Sequence, residues 1–281
     1  MQIIKTASKL YHWSGKQSQT IGFIPTLGAL HPGHLSLVGA SKARCSLTVV
    51  SVFLNPTQFS ANEDLDSYPN TLHEDIKSLE ILSVDVLFLP DQKEMYQTVE
   101  DVNVPETDLF MRLEGSSRSH FFYGVTTIVA KLFNVIRPTH TFFGEKDAQQ
   151  VRIIEQMIVN MQYPIMLIAC PTIRNKNGLA LSSRNAYLTS SQQQKASIIY
   201  KGLLHIQDAL DRGQKNPLIL KQSFKTILQQ TTEIKIDYIS IACAKTLKEI
   251  DVVDDRSLLI STAVVFNTVR LIDNFSYQSS T

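Results

Sequence analysis

The chain is short of everything that would staple it, anchor it or fasten it to a polyanion. Its three cysteines, Cys45, Cys170 and Cys243, are an odd, widely spaced set with no C-x-x-C and no Cys/His cluster. That excludes a disulfide framework and a zinc site of the usual spacing, and the thiols read as reduced core or surface groups of a cytosolic protein. Charge of one sign is also lacking: Lys+Arg 27 against Asp+Glu 26 leaves a net +1, too little for the broad basic footprint of a nucleic-acid or anionic-membrane binder. No apolar run approaches bilayer length, the longest being Leu258 to Phe266. Met1 to Lys16 is polar and mixed, without the charged start and apolar core of a secretory signal, so a cytoplasmic location is expected. Repeats and low-complexity tracts are missing too. What remains is a chain of 281 residues, 43% hydrophobic and 19% charged, able to bury a large core in one big or two ordinary domains.

The most informative stretch runs from Pro25 through Thr26, Leu27, Gly28, Ala29, Leu30, His31, Pro32 and Gly33 to His34. An apolar run, Ile21 to Ile24, turns there through a glycine-containing loop into a helix that opens with two histidines. Such a turn offers backbone N–H groups and the positive end of the helix dipole to an anion, and the glycines permit close approach. Gly28 and Gly33 stand at P-loop spacing, yet His34 replaces the required Lys and Leu35 the Ser/Thr, which excludes a kinase-like ATPase. Instead, H-x-G-H resembles the signature of the nucleotidyltransferase superfamily, whose members form adenylates by attack on the α-phosphorus of ATP. In those enzymes the histidines lie beside the phosphates, where they donate to charge developing in the transition state.

Elsewhere, apolar runs of strand length alternate with helical patterns. The strands are predicted at Ile21–Pro25, Leu47–Leu54, Val84–Leu89, Thr139–Gly144 and Pro164–Ile168. Helices are predicted near His34–Arg44, Leu72–Leu82, Val125–Ile136 and Ala148–Met161. This alternation predicts right-handed β-α-β units in a Rossmann-like, doubly wound parallel sheet, with ligands beyond the carboxyl ends of the strands. From about Thr189 a smaller α+β domain follows, with helices near Gln192–Asp211 and Leu218–Gln230 and strands Ile236–Ile241, Leu258–Phe266 and Val269–Ile272. Asn267-Thr268 is expected to be a tight hairpin. The expected division is residues 1–175 for nucleotide and substrate binding and 176–281 for the smaller domain.

Other polar clusters fall at the same strand ends. Asn55-Pro56-Thr57-Gln58-Phe59 follows the second run, and Gln58, between a proline turn and an aromatic, suits a small polar substrate. Gly144-Glu145-Lys146-Asp147 follows Phe143; Lys146 suits a phosphate as a flexible point charge, and Asp147 is expected to cap the next helix. Pro171 to Asn185 is turn-rich, basic and rich in hydroxyls. Ser182 and Ser183 offer hydrogen bonds to phosphate oxygens and Arg184 a bidentate clamp, on a segment able to close over ATP.

Taken with Asp66–Pro69, Leu113–Gly115, Lys131–Asn134 and Arg270–Asn274, these strings make the chain resemble the pantothenate synthetase family nearly end to end. The resemblance implies that pantoate carboxylate attacks the α-phosphorus of Mg²⁺-bound ATP, releasing pyrophosphate, and that β-alanine then displaces AMP from pantoyl adenylate. It implies an ATP site along Leu27 to His34, with His34 as proton donor and His31 as phosphate partner. It further implies Gln58 and Gln150 on pantoate, and Gln58 also on β-alanine. Gly144, Glu145, Lys146, Asp147, Ile173, Leu181, Ser182, Ser183 and Arg184 complete the nucleotide pocket, with Lys146 and Arg184 stabilising phosphate charge. No metal cage is visible, consistent with Mg²⁺ riding on substrate phosphates. A homodimer is the family expectation.

Departures concentrate in Arg118-Ser119-His120-Phe121-Phe122-Tyr123-Gly124-Val125, where the family commonly reads Arg-Pro-Gly-His-Phe-Arg-Gly-Val. Phe121 takes the usual histidine position and Tyr123 that of the later arginine. Either His120 substitutes through a shifted loop or that role is absent. Leu27 for the usual Met is nearly volume-conserving. Two rival readings remain: another adenylate-forming enzyme on the same fold, and a catalytically weakened ligand-binding homologue.

Overall fold

The computed structural model describes residues 1–60 and 63–278. Its larger sheet is built from β1 (Gln2–Ile4), β2 (Ile21–Thr26), β3 (Leu47–Val52), β4 (Val86–Phe88), β5 (His140–Gly144) and β6 (Met166–Cys170), all parallel, in the order β1-β4-β3-β2-β5-β6. Successive side chains alternate between two cores, because a strand turns its Cβ atoms to opposite faces. Phe23, Val49 and Phe88 pack on one face with helices α1 (Ala7–Gly15), α5 (Phe121–Ile136) and α6 (Ala148–Asn160). Ile24, Val50 and Leu87 pack on the other with α2 (Pro32–Arg44) and α3 (Leu72–Ile81). Burial on both faces explains why these strands read as continuous apolar runs.

The chain lays β3 and β4 on one side of β2, then crosses to β5 and β6 on the other. Strand order therefore reverses between β2 and β5, and the loops leaving those two strands open a crevice at the switch point. A short helix, α4 (Glu114–Ser117), precedes α5.

The smaller sheet is antiparallel, β7 (Ile234–Cys243), β8 (Leu258–Phe266) and β9 (Val269–Tyr277) in that order, and α8 (Ile198–Asp211) and α9 (Pro217–Leu228) pack into the core beside it. The expected hairpin is present: Phe266 pairs with Val269, and Asn267 takes the left-handed conformation at φ 54.

Several boundaries differ from expectation for local reasons. The N-terminal strand β1 was not foreseen because it has three residues and exposes two of them. The helix expected at 192–211 is two, α7 (Ser190–Ala196) and α8, broken at Ser197, whose hydroxyl bonds the Gln194 carbonyl. β9 runs five residues past Ile272, and α5 starts at Phe121 rather than Val125 because the buried Phe122 anchors its first turn.

The turn-rich segment after β6 is held to β9 by a forked ion pair. Arg174 Nη1 and Nη2 donate to Asp273 Oδ2 and Oδ1 at 2.5 and 2.9 Å, and the guanidinium stacks on Tyr200 at 3.9 Å. Asp273 is buried, and removing one partner strands the other charge. Asp273→Ala is expected to lower the unfolding free energy by about 3–5 kcal/mol, measured by denaturant titration; an unchanged midpoint would show that the pair does not hold the segment.

Candidate functional site

The loop from β2 to α2 is more tightly determined than its sequence suggests. Gly28 has φ +88, a conformation that L side chains rarely adopt, and the next residue, Ala29, follows at φ 50. Gly28 N–H donates to Thr26 Oγ1 at 3.2 Å. Ala29 and Leu30 N–H both donate to the buried carboxylate of Asp75, at 2.9 Å each, and Thr71 Oγ1 donates to it at 3.0 Å. At the start of α2 the histidines cap the helix reciprocally: His31 Nδ1 accepts from Gly33 N–H at 3.1 Å, and His34 Nδ1 from His31 N–H at 3.4 Å.

These bonds correct one expectation. The amides of Gly28, Ala29, Leu30, His31 and Gly33 are not free for an anion; each is taken within the protein. What faces the cavity is the imidazoles, and an accepting Nδ1 assigns the proton of each neutral ring to Nε2. Both histidines thus present an N–H donor to a ligand.

A cavity of about 230 Å³ lies at the switch point, and its wall gathers most of the residues singled out above. Leu27, His31, Gly33, His34, Gln58, Gly144, Lys146, Asp147, Gln150, Ile173, Leu181, Ser182, Ser183 and Arg184 all line it. Gly28, Ala29, Leu30, Pro32 and Glu145 lie outside that wall, where they frame the loops. A second space of about 660 Å³ continues from it toward the smaller sheet, sharing Arg118, Lys146, Gln150, Ser182 and Arg184.

Gln58 ends the single turn Pro56–Gln58 after β3 and is buried. Its Oε1 accepts from Asn55 Nδ2 at 3.2 Å, which leaves the Nε2 amide as the end available to a ligand. Asn55 also donates to the Gly124 carbonyl at 3.0 Å, and a Cβ on Gly124 would stand 2.5 Å from the Thr57 carbonyl. Only glycine lets α5 approach the turn so closely.

Lys146 and Asp147 lie in the turn between β5 and α6. Asp147 occupies the N-cap position, but its side chain makes no capping bond and instead lies 3.6 Å from Lys146 Nζ. The turn is held from a distant strand: Asn274 Nδ2 on β9 donates to the Glu145 and Lys146 carbonyls at 3.1 and 2.8 Å. Ser183 Oγ donates to the Ala29 carbonyl at 3.0 Å, so the hydroxyl-rich segment is docked on the β2–α2 loop. Ser182 accepts from Arg184 N–H at 3.3 Å.

Phe121 lines the cavity, with the Arg118 guanidinium 3.9 Å above its ring. His120 lines neither space, and its Nε2 is buried without a hydrogen-bond partner. The shifted-loop substitution is therefore not realised: an apolar ring and a stacked arginine stand where the family commonly has a histidine. Tyr123 turns away to pack edge-on against Phe110 at 5.2 Å.

The electrostatics of the histidine pair follow from enclosure. Burial first, then the Lys146 charge, lowers the His31 pKa to about 4; burial, then His31 and Lys146, lowers that of His34 to about 3. The rings lie 4.1 Å apart, and both are neutral at pH 7. Sequence reasoning did not find Asp75, and named Asn55 and Asn274 only inside longer strings, without a role. Their partners lie 46, 69 and 128 residues away, and no local pattern announces them.

A family profile described as pantoate-beta-alanine ligase matches residues 2–276. The pantothenate synthetase of Thermosipho africanus is 42% identical over 259 residues, covering 92% of each chain. That of Fervidobacterium nodosum is 40% identical over 277 residues, covering 98% of each. Among solved structures, a pantothenate synthetase of Thermus thermophilus superposes with a TM-score of 0.90 at 35% identity, covering 98% of this chain and 99% of that one. The pantoate-beta-alanine ligase of Francisella tularensis, described as complexed with beta-gamma ATP and beta-alanine, superposes at 0.79 and 35% identity, covering 98% and 97%.

The depressed histidines set a pH dependence. Between pH 6.5 and about 4 the unfolded chain takes up protons at these two sites that the folded chain refuses, so stability falls as pH falls through that window and is fully present above it. The unfolding free energy is expected to drop from pH 7 to pH 5, and the double variant His31→Gln, His34→Gln to flatten that slope. Equal slopes in parent and variant would show that the rings are not held neutral.

Proposed function

Because the chain belongs to the pantoate-beta-alanine ligase family, we propose that it condenses (R)-pantoate with β-alanine to pantothenate through a pantoyl adenylate, converting ATP to AMP and pyrophosphate. The observation that carries this reading is the convergence of two neutral imidazole donors, Lys146, Arg184, Gln58 and Gln150 on one cavity at the switch point. In the first step a pantoate carboxylate oxygen attacks the α-phosphorus and pyrophosphate leaves. In the second the β-alanine amine attacks the acyl carbon and AMP leaves.

The roles follow from the chemistry of each group. His34 and His31, neutral and protonated on Nε2, donate hydrogen bonds to phosphate oxygens as charge gathers on them. His34 thus acts as a donor held in place, not as a charged acid. Lys146 and Arg184 offset the charge of the phosphate chain, with Ser182 and Ser183 beside them. Ile173 and Leu181 flank the nucleotide. Gln58 Nε2 and Gln150 bind pantoate, and Gln58 also meets β-alanine. The acyl phosphate is prone to hydrolysis, and the apolar wall of Leu27, Val129, Leu132 and Phe142 keeps water from it.

Among the described residues no group of three or more His, Cys, Asp or Glu stands together, and Mg²⁺ enters the proposal as part of the nucleotide substrate, since this ion usually rides on substrate phosphates. When bound, the ion supplies charge neutralisation on the leaving pyrophosphate. No helix among the described residues is long and apolar enough to cross a membrane. The division near residue 175, a homodimer and a cytoplasmic location complete the proposal, all carried from the sequence and the family.

Purified protein given ATP, Mg²⁺, pantoate and β-alanine is expected to form AMP and pantothenate together, followed by chromatography; formation of neither rejects the reaction. His34→Ala is expected to lower kcat about 10²–10³-fold, the scale for one lost transition-state donor, far more than the loss of about 1 kcal/mol of stability from the broken helix cap. Full activity in that variant would remove His34 from its role.

A further inference from the structure

Two consecutive acidic residues lining the larger space, Glu63 and Asp64, do something that the proposed reaction does not yet use. Arg118 Nε and Nη2 donate to Glu63 Oε1 and Oε2, both at 2.7 Å. Arg184 Nε and Nη2 donate to Asp64 Oδ2 and Oδ1 at 2.9 and 2.7 Å. Each arginine lines both the smaller and the larger space, at their junction beside Lys146. These are not loose surface pairs: side-chain exposure is 13% and 21% for Arg118 and Glu63, and 29% and 22% for Arg184 and Asp64.

Both carboxylates grip the same edge of the guanidinium. A guanidinium carries five N–H donors in a rigid plane, and the Nε/Nη2 edge uses two of them. Among the described residues, nothing accepts from Nη1 of either arginine. A carboxylate standing in for a phosphate would be free to take the Nη1/Nη2 end; here Nη1 is left open in both, and Arg118 Nη2 is further engaged by the Gln58 carbonyl at 3.5 Å. Further contacts fix each assembly. Phe121 lies under the Arg118 plane at 3.9 Å, and the single proton of Tyr187 Oη is shared between the Ser67 carbonyl at 2.9 Å and Asp64 Oδ2 at 3.2 Å. Burial pushes the Glu63 and Asp64 carboxyls up, but the hydrogen bonds from Arg118 and Arg184 outweigh it, and both groups lie below their ordinary values.

We propose that Glu63 and Asp64 are positioning residues that hold Arg118 and Arg184 by their Nε/Nη2 edges, leaving the Nη1 ends to receive the β- and γ-phosphates of the nucleotide. The proposal rests on the reading that this cavity takes ATP. Long arginine side chains lose rotamer freedom when a ligand orders them, and a partner that orders them beforehand removes that cost from binding. Phe121 gives Arg118 its second support, which assigns a use to this aromatic ring in the cavity wall.

AMP carries the adenosine and α-phosphate but neither of the outer phosphates, so it separates positioning from general damage. ATP and AMP binding to the full chain is measured by calorimetry for the parent, Glu63→Gln, Asp64→Asn and Asp64→Glu. Each neutral variant is expected to weaken ATP roughly tenfold, the scale of one lost charge-assisted contact, while AMP binds as to the parent. Asp64→Glu, which keeps the charge, is expected to regain most of what Asp64→Asn loses. Equal losses for ATP and AMP would mean the carboxylates only support the fold, and unchanged or tighter ATP binding would mean they do not position the arginines or that they compete with phosphate; either overturns the proposal. A parent chain that binds no ATP would overturn the reading of the cavity itself, a failure distinct from parent-like variants on an ATP-binding parent.

Discussion

The site depends on one buried carboxylate. Asp75, at the first turn of α3, accepts from the backbone of Ala29 and Leu30 and from the Thr71 hydroxyl, and is 2% exposed. Those bonds hold two successive residues, Gly28 and Ala29, in left-handed conformations, of which the alanine costs about 1–2 kcal/mol. Without the carboxylate, the two amides would be left in a buried turn with no partner, at about 1–3 kcal/mol each. The chain is thereby fixed between the end of β2 and the cap of α2, and that fixed turn determines where His31 and His34 point. Asp75 consumes the donors that a helix start would offer to an anion, and what remains for a ligand is the pair of side chains those donors hold in place.

A second constraint runs from the far end of the chain. β9 belongs to the smaller sheet, yet its Asn274 holds both carbonyls of the Lys146 turn and its Asp273 holds Arg174. Two adjacent residues of one strand therefore position the Lys146 turn and the start of the hydroxyl-rich segment. The Ser183 bond to the Ala29 carbonyl closes the circuit back to the β2–α2 turn. In this arrangement the Lys146 turn is held only when β9 is in place, which gives the Arg270–Asn274 string a physical reason apart from contact with substrate.

How much of this could be read beforehand follows from the range of each interaction. Strands buried on both faces announce themselves as apolar runs, and the rule that ligands lie at the carboxyl ends of such strands was enough to bring His31, His34, Gln58, Lys146 and Ser182–Arg184 to one place. Strand β1 was illegible because three residues carry no period. Asp75 drew no attention in the sequence, and Asn55 stood only inside the Asn55–Phe59 string, because a residue's partner across the fold leaves no mark on its neighbours. The same blindness produced the error about the free amides. A glycine-containing turn before a helix indicates unpaired donors only when nothing else in the protein is aimed at them.

The neutrality of the histidines is the step that makes the charge balance of the cavity intelligible. Lys146, Arg118 and Arg184 already bring three cations to its wall, with Glu63, Asp64 and Asp147 beside them. Two imidazolium rings with centroids 4.1 Å apart would repel by about 4 kcal/mol at an effective dielectric of about 20, before any cost of burial. Keeping the rings neutral removes that repulsion and still leaves two oriented N–H groups. An apolar Phe121 in the same wall works in the same direction, because it adds no titratable group and excludes water from the field of the others. The cavity wall is then nearly balanced in charge, and its cations and dipoles have orientations that were settled when the chain folded.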